Sequence, residues 1–193
     1  MVVGLCEALP LQGSFSIREC RFFLNHFHKN KTQYLEYGCG VSTLIAGLRA
    51  KKAVSIEGSF QWYQNTTKLG QHYKLDKTVE LRHANIGPTA WLSYPIFNNA
   101  TAHDYCTKPL KADELFDLIL VDGRFRVACA AHAYHRLNHK GTLLVHDYRG
   151  RHHYSDINKL FTLTGFVQTL ASFKPKPNRN PRPIYAKHFR DAA

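Results

Sequence analysis

Glu36, Gly38 and Gly40 stand at alternate positions within Tyr34-Leu-Glu-Tyr-Gly-Cys-Gly-Val-Ser-Thr43. A short apolar strand ends in Glu36 and Tyr37. The two glycines let the backbone turn sharply and approach a ligand closely, and Ser42 and Thr43 then open a helix at Leu44. A carboxylate just before such a turn suits a ligand that carries positive charge and would meet a pyrophosphate badly. The dinucleotide fingerprint wants a third glycine three residues after the second, and Thr43 stands there. Glu57 ends the apolar run Ala53-Val-Ser-Ile-Glu57, roughly 20 residues on, where an acid accepts ribose hydroxyls. A second group of reactive types follows later in the chain: Asp122 after one apolar run, and His146 with Asp147 after another. Carboxylates and an imidazole at strand ends can accept a proton or hold a hard divalent cation.

The first set predicts a nucleoside ligand with a cationic part. S-adenosylmethionine has that chemistry, with a sulfonium, an ammonium and no phosphate. The elements that would position these residues alternate. Strands are expected over residues 34–37, 53–57, 78–83, 116–121 and 141–146, with helices over 41–49 and 60–69. Val127, Ala131, Tyr134 and Leu137 recur at helical spacing, and residues 157–161 add a further helix. Ser16-Ile-Arg-Glu19 is a capping-box pattern opening a helix through about His28, with Phe22, Phe23 and Phe27 toward the core. Residues 165–173 and 184–189 are expected to pair as a terminal antiparallel hairpin across a proline-rich loop. The fold class that follows is α/β, a doubly wound, Rossmann-like, mostly parallel sheet. Ligands bind beyond the carboxyl ends of the strands in such sheets. Glu36, Glu57, Asn85, Asp122 and Asp147 all fall there.

The 193 residues read as one domain, residues 1–193, with a helical cap over 1–30 and a candidate substrate lid over 88–111. A hydrophobic content of 44% excludes a disordered chain, and no apolar run reaches the roughly 18 residues needed to span a bilayer. Residues 1–10 lack a basic segment and carry Glu7, so they do not read as a signal peptide. Cys6, Cys20, Cys39, Cys106 and Cys129 are scattered, which fits free thiols in a reducing compartment and a cytoplasmic protein. The net charge of +12 favours anionic partners: nucleic acid, a membrane surface or an acidic glycan. The densest basic group, Lys174, Lys176, Arg179 and Arg182, is interleaved with prolines and reads as a solvated loop.

The chain resembles the class I S-adenosylmethionine-dependent methyltransferases over nearly its whole length. Leu35-Glu-Tyr-Gly-Cys-Gly40 is similar to the first motif and Ser55-Ile-Glu57 to the second. Arg82-His-Ala-Asn-Ile-Gly87 resembles the segment bordering adenine. Residues 117–123 and 141–147 look like the fourth and fifth strands. Ile86-Gly-Pro-Thr89 with Tyr94-Pro95, and Val121-Asp-Gly-Arg-Phe-Arg-Val-Ala-Cys129 with His146-Asp-Tyr148, look closest to a group associated with sugar or glycan hydroxyl methylation, including domains of large algal viruses. A viral enzyme acting in host cytoplasm is therefore a second setting. The resemblance implies a cofactor site of Glu36, Tyr37, Gly38, Gly40, Ser42, Thr43, Glu57, Asn85, Ile86 and Asp122.

It also implies O-methylation, in which the cofactor supplies the reactive methyl and the protein aligns the acceptor and receives its proton. Asp147 is the expected proton acceptor or its orienter, with His146 second. Arg124, Trp91, Tyr94 and Tyr148 are expected to hold the acceptor, a sugar, glycan or other hydroxyl-bearing molecule that tolerates negative charge. Arg124 and Arg126, close after Asp122, are placed to clamp an anionic or hydroxyl-rich acceptor, and Arg149, Arg151, His152, His153 and Tyr154 add a basic, aromatic surface after the fifth strand. Catechol-type methyltransferases place aspartates like Asp122 and Asp147 on Mg²⁺ with a following asparagine. Tyr148 takes that third place here, so a divalent metal is not favoured. Nucleic-acid methylation is the other alternative. Against it, the Asn/Asp-Pro-Pro-aromatic and Pro-Cys patterns of base methylation are absent.

Overall fold

Period-two alternation in β1 (Gln33–Tyr37) sends Tyr34 and Glu36 to one face of a sheet and Leu35 and Tyr37 to the other. The computed structural model describes residues 15–193. The leader reading of residues 1–10, Cys6 and the first half of the expected cap lie outside the described residues. β2 (Lys52–Glu57), β3 (Val79–His83), β4 (Phe116–Val121), β5 (Leu137–Val145), β6 (Phe161–Val167) and β7 (Leu170–Pro175) complete the sheet. Its order is β3-β2-β1-β4-β5-β7-β6, parallel from β3 to β5, with β7 antiparallel to both β5 and β6. The chain winds outward from β1 to β3 and then returns to β4 beside β1. The switch point, where such sheets hold ligands, is therefore at the carboxyl ends of β1 and β4.

Both faces are covered. Tyr34, Ala53, Leu118, Leu120 and Leu144 pack under α1 (Ile17–Leu24) and α2 (Val41–Arg49). Leu35, Tyr37, Ile119, Val121 and Leu143 pack on the opposite side with α4 (Arg126–Ala133), after α3 (Phe60–His72) has bridged β2 and β3. Two short helices, α5 (Ile157–Leu160) and α6 (Arg182–Lys187), follow. Ser16 caps α1 in the expected reciprocal box with Glu19.

Several expectations change. The stretch 184–189 is not a strand: it belongs largely to α6, whose first turn contains Arg182 and Pro183. The terminal hairpin is β6–β7, turning at Gln168 with φ 54°. Residue 161, expected to end a helix, opens β6, and Leu137 opens β5 rather than extending α4. Helix α1 stops at Leu24, short of His28. Cys39, Cys106 and Cys129 are free thiols, but Cys20 is disulfide-bonded, against the expectation of free thiols throughout. Among the described residues no helix is long and apolar enough to cross a membrane.

Candidate functional site

Gly38, at φ +96°, lies where the loop after β1 crosses the loop after β4. A Cβ there would meet Gly123 N at 2.6 Å. That glycine is fixed by contact of two backbones. Gly40 faces open space, with nothing within 4 Å of the Cβ it lacks. The glycine that could admit a ligand is therefore Gly40.

Glu36 is fully buried on the α2 face. Tyr34 Oη donates to its Oε2 at 2.9 Å and Ser42 Oγ to the same oxygen at 2.7 Å. Ser55 Oγ, opposite it in register, donates to Oε1 at 2.6 Å, and Thr43 Oγ1 donates there too. Burial pushes the carboxyl pKa up to about 7, against the opposing pull of the four hydroxyl donors. This carboxylate, expected beside a ligand's ammonium, is enclosed. The hydroxyls of Ser42 and Thr43 turn inward to it, and Thr43 also ties down Gly40 N at 2.9 Å. Tyr37 lies on the opposite face, fully buried, with its hydroxyl 2.9 Å from His132 Nδ1.

Glu57 ends β2 beside this loop. Its Oε2 accepts from Cys39 N at 3.1 Å, and its Oε1 accepts from Ser59 N at 2.8 Å and Ser93 Oγ at 2.9 Å. A carboxylate that already holds one hydroxyl at the edge of an open glycine loop fits the ribose of a nucleoside cofactor. Ile86 is buried under Gly58, and Asn85 is exposed with its Oδ1 accepting from Gly87 N. Ser93 belongs to a one-turn helix, Trp91–Ser93, in the stretch expected as a lid. Only the first part of that stretch is exposed. Ala102, Tyr105 and Cys106 are buried in the core.

The ends of β4 and β5 bring together Asp122, His146 and Asp147, with ligand atoms within 4.8 Å of one another. His146 Nδ1 lies 2.9 Å from Asp122 Oδ1, and its Nε2 is 3.6 Å from Glu19 Oε1. Phe15 packs on its ring, with centroids 4.9 Å apart. Burial pulls the His146 pKa down, but Asp122, Asp147 and Glu19 outweigh it and raise it. Burial likewise pushes Asp122 up, and His146 with Arg126 holds it below the ordinary value. Arg126, 4% exposed, places its guanidinium 3.3 Å from Asp122 Oδ1 and 3.1 Å from Asp147 Oδ2. A fixed cation thus bridges the two carboxylates that a metal would need, so the donor set fits a guanidinium better than a divalent ion. Asp147 has the most open side chain of the acids here, at 37%, and Arg151 Nη2 reaches it at 3.3 Å.

Arg124 is buried and lies face-on to the Tyr94 ring, 4.0 Å from its centroid. Trp91 is exposed, and Tyr148 accepts from Asn158 Nδ2 at 2.6 Å. Glu19 and Ser93 complete the arrangement without having been singled out for these roles in the sequence, and Arg126, expected to clamp the acceptor, is instead engaged by Asp122 and Asp147. Glu19 signalled itself only as a cap; its Oε1 also accepts from Thr169 N and Oγ1 at 3.0 and 2.7 Å, pinning the β6–β7 turn beside His146.

No family model matches the chain, and no curated protein matches it. Solved structures do. A methyltransferase-like protein from Silicibacter pomeroyi DSS-3 superposes with TM-score 0.74 at 22% identity, covering 95% of this chain and 97% of that one. The S-adenosylhomocysteine-bound methyltransferase PaMTH1 of Podospora anserina gives 0.59 at 15%, covering 91% and 87%. An rRNA methylase from Streptococcus thermophilus gives 0.55 at 12%, covering 86% and 99%. At these identities the likeness is one of fold: the Rossmann-like fold of methyltransferases.

Proposed function

We propose that this protein is an S-adenosylmethionine-dependent O-methyltransferase acting on a hydroxyl of a sugar or glycan. The observation that carries the reading is Glu57, a strand-end carboxylate holding a hydroxyl beside the open face of Gly40. Gly38 and Glu36 then shape the loop, Glu36 by anchoring Ser42, Thr43 and Ser55. Asn85 and Ile86 border the adenine side, and Asp122 the methionine side. Bound there, the cofactor supplies an electrophilic methyl group. Asp147 is the open carboxylate that receives the acceptor's proton. His146, engaged by Asp122 and facing Glu19, positions it. Arg124, Trp91, Tyr94 and Tyr148 surround the acceptor. The same assembly has a second reading as a nucleic-acid methyltransferase, favoured by the net charge of +12.

Calorimetry with S-adenosylhomocysteine tests the cofactor half. Losing a charge-assisted hydrogen bond costs about 1.5–3 kcal/mol, so Glu57→Ala is expected to bind at least tenfold more weakly than wild type. Folded wild-type protein that binds no S-adenosylhomocysteine would end the proposal. Labelled-methyl transfer across glycans, catechols and RNA then identifies the acceptor class.

A further inference from the structure

Arg124 and Arg126 leave the same loop after β4 and are equally buried, at 5% and 4% exposure. Their surroundings differ. Arg126 pairs with Asp122 and Asp147 and donates from Nη1 to His146 O at 2.7 Å and from Nε to Gly123 O at 2.9 Å. Arg124 has buried Nε and Nη1 atoms with no partner at all. A guanidinium stays charged at any working pH, and a buried, unpaired charge is strongly unfavourable. Asp122 feels the charge of Arg124 but makes no ion pair with it, and the nearby carboxylates are already engaged. Asp122 is held by His146 and Arg126, and Asp147 by Arg126 and Arg151. One face of Arg124 is covered by Tyr94, while its Nε and Nη1 are left without an acceptor.

We infer that Arg124 is an anion site and that the acceptor is acidic, carrying a carboxylate or phosphate on the molecule that presents its hydroxyl to Asp147. The inference rests on the methyl-transfer reading and names its substrate class. Two further observations bear on the acceptor side. The charge of Arg124 is felt by Tyr154, together with Arg126 and Arg151, and by Asp122 and Tyr105, so it reaches the end of β4 as well as Tyr154. Arg151, which reaches Asp147, also lines a neighbouring cleft of about 300 Å³ with Tyr148, Arg149, His152 and Phe166 among others; Arg124 is not in its wall, and neither is any carboxylate. That volume is at the small end of ligand pockets and suits a single sugar ring. Arg149 lies over the Phe166 ring at 5.6 Å, giving the cleft an apolar floor with a charged edge. A uronic acid or a phosphorylated sugar matches this chemistry.

Binding of inorganic phosphate, and of glucuronate against glucose, is measured by calorimetry and thermal unfolding, with and without S-adenosylhomocysteine. The wild type and Arg124→Met are compared. Phosphate and glucuronate are expected to bind the wild type at least tenfold more tightly than the variant, and glucose to bind both alike. S-adenosylhomocysteine affinity should agree within twofold. Arg124→Met should melt no lower than wild type without ligand, because it removes an unpaired buried charge. The proposal is overturned if phosphate does not bind the wild type and glucuronate binds no better than glucose. It is also overturned if Arg124→Met loses S-adenosylhomocysteine but keeps 5′-methylthioadenosine, which lacks the carboxylate; Arg124 would then hold the cofactor's own anion. Wild type that binds no S-adenosylhomocysteine removes the methyl-transfer reading instead, and the phosphate arm still decides whether Arg124 takes an anion.

Discussion

A carboxyl group walled in by hydroxyls titrates differently from one in water, and Glu36 is such a group. Burial raises its pKa from 4.5 to about 7 even with four hydroxyls donating to it. The sign of the stability effect follows. Below pH 4.5 the group is protonated in folded and unfolded chains alike, and it costs nothing. Between 4.5 and about 7 the unfolded chain releases its proton first, so stability falls as pH rises. Above that range the full cost applies, roughly 3 kcal/mol for a displacement of this size. Glu36→Gln keeps the shape and removes the titration. Relative to wild type it should gain roughly 2–3 kcal/mol in urea unfolding between pH 4.5 and pH 8. Parallel stability curves for the two proteins would show that Glu36 does not titrate in this range. At neutral pH the group sits near its midpoint, so the loop that it anchors is sensitive to pH.

At the scale of elements, the Trp91–Ser93 turn holds conformations that L-residues avoid. Leu92 and Ser93 have φ of 56° and 61°, each costing about 1–2 kcal/mol. The contacts that offset this lie on both sides: Ser93 on Glu57, Tyr94 under Arg124, and the Thr89–Pro95 bridge. The segment therefore spans the loop after β1, from the end of β2 to the end of β4. A ribose hydroxyl would compete with Ser93 for Glu57 Oε1. Ser93→Ala should free that oxygen and tighten S-adenosylhomocysteine by about tenfold or more, since a hydrogen bond to a charged group is worth about 1.5–3 kcal/mol. Weaker binding in a calorimetric titration would instead make Ser93 part of the cofactor's own contacts.

This segment also shows what sequence could and could not convey about the elements. Strands such as Phe116–Val121 were legible because a strand buried on both faces needs an unbroken apolar run. The glycine loop was legible because its turn is local. The Ser93–Glu57 contact joins residues 36 apart in sequence, with no periodic signal to announce it. Arg182–Lys187 mimics a strand in sequence because its Ile-Tyr-Ala core is short and apolar, and the proline in its first turn suits a helix start as well as a loop. Glu36 carried a hint in its register. Residues two apart share a strand face, so Glu36 follows Tyr34 under α2, and only tertiary packing turns that hint into enclosure.

Across the whole molecule, the charge of +12 has two candidate uses, a site-specific one and a diffuse one. The positions of the cations favour the first. Lys174 and Lys176, half of the densest basic group, donate to the carbonyls of Lys140, Gly141 and Asn158. Lys159 and Lys187 both pair with Asp156. Around the ends of β4 and β5, by contrast, Arg124, Arg126 and Arg151 converge within one site. RNA bound by scattered surface cations is held through counterion release. For a single strand, four phosphate contacts give a slope that costs about 50-fold in affinity between 50 and 200 mM salt. A small acidic acceptor gripped by one or two buried guanidiniums should lose only a few-fold over the same range, because buried pairs are poorly screened. Fluorescence anisotropy with a labelled single-stranded RNA, run beside glucuronate calorimetry at both salt concentrations, separates the two. RNA affinity is expected to collapse while glucuronate affinity persists. If RNA instead stays bound at 200 mM salt and takes up labelled methyl groups, the diffuse charge is the functional surface and nucleic acid replaces the acidic sugar as acceptor.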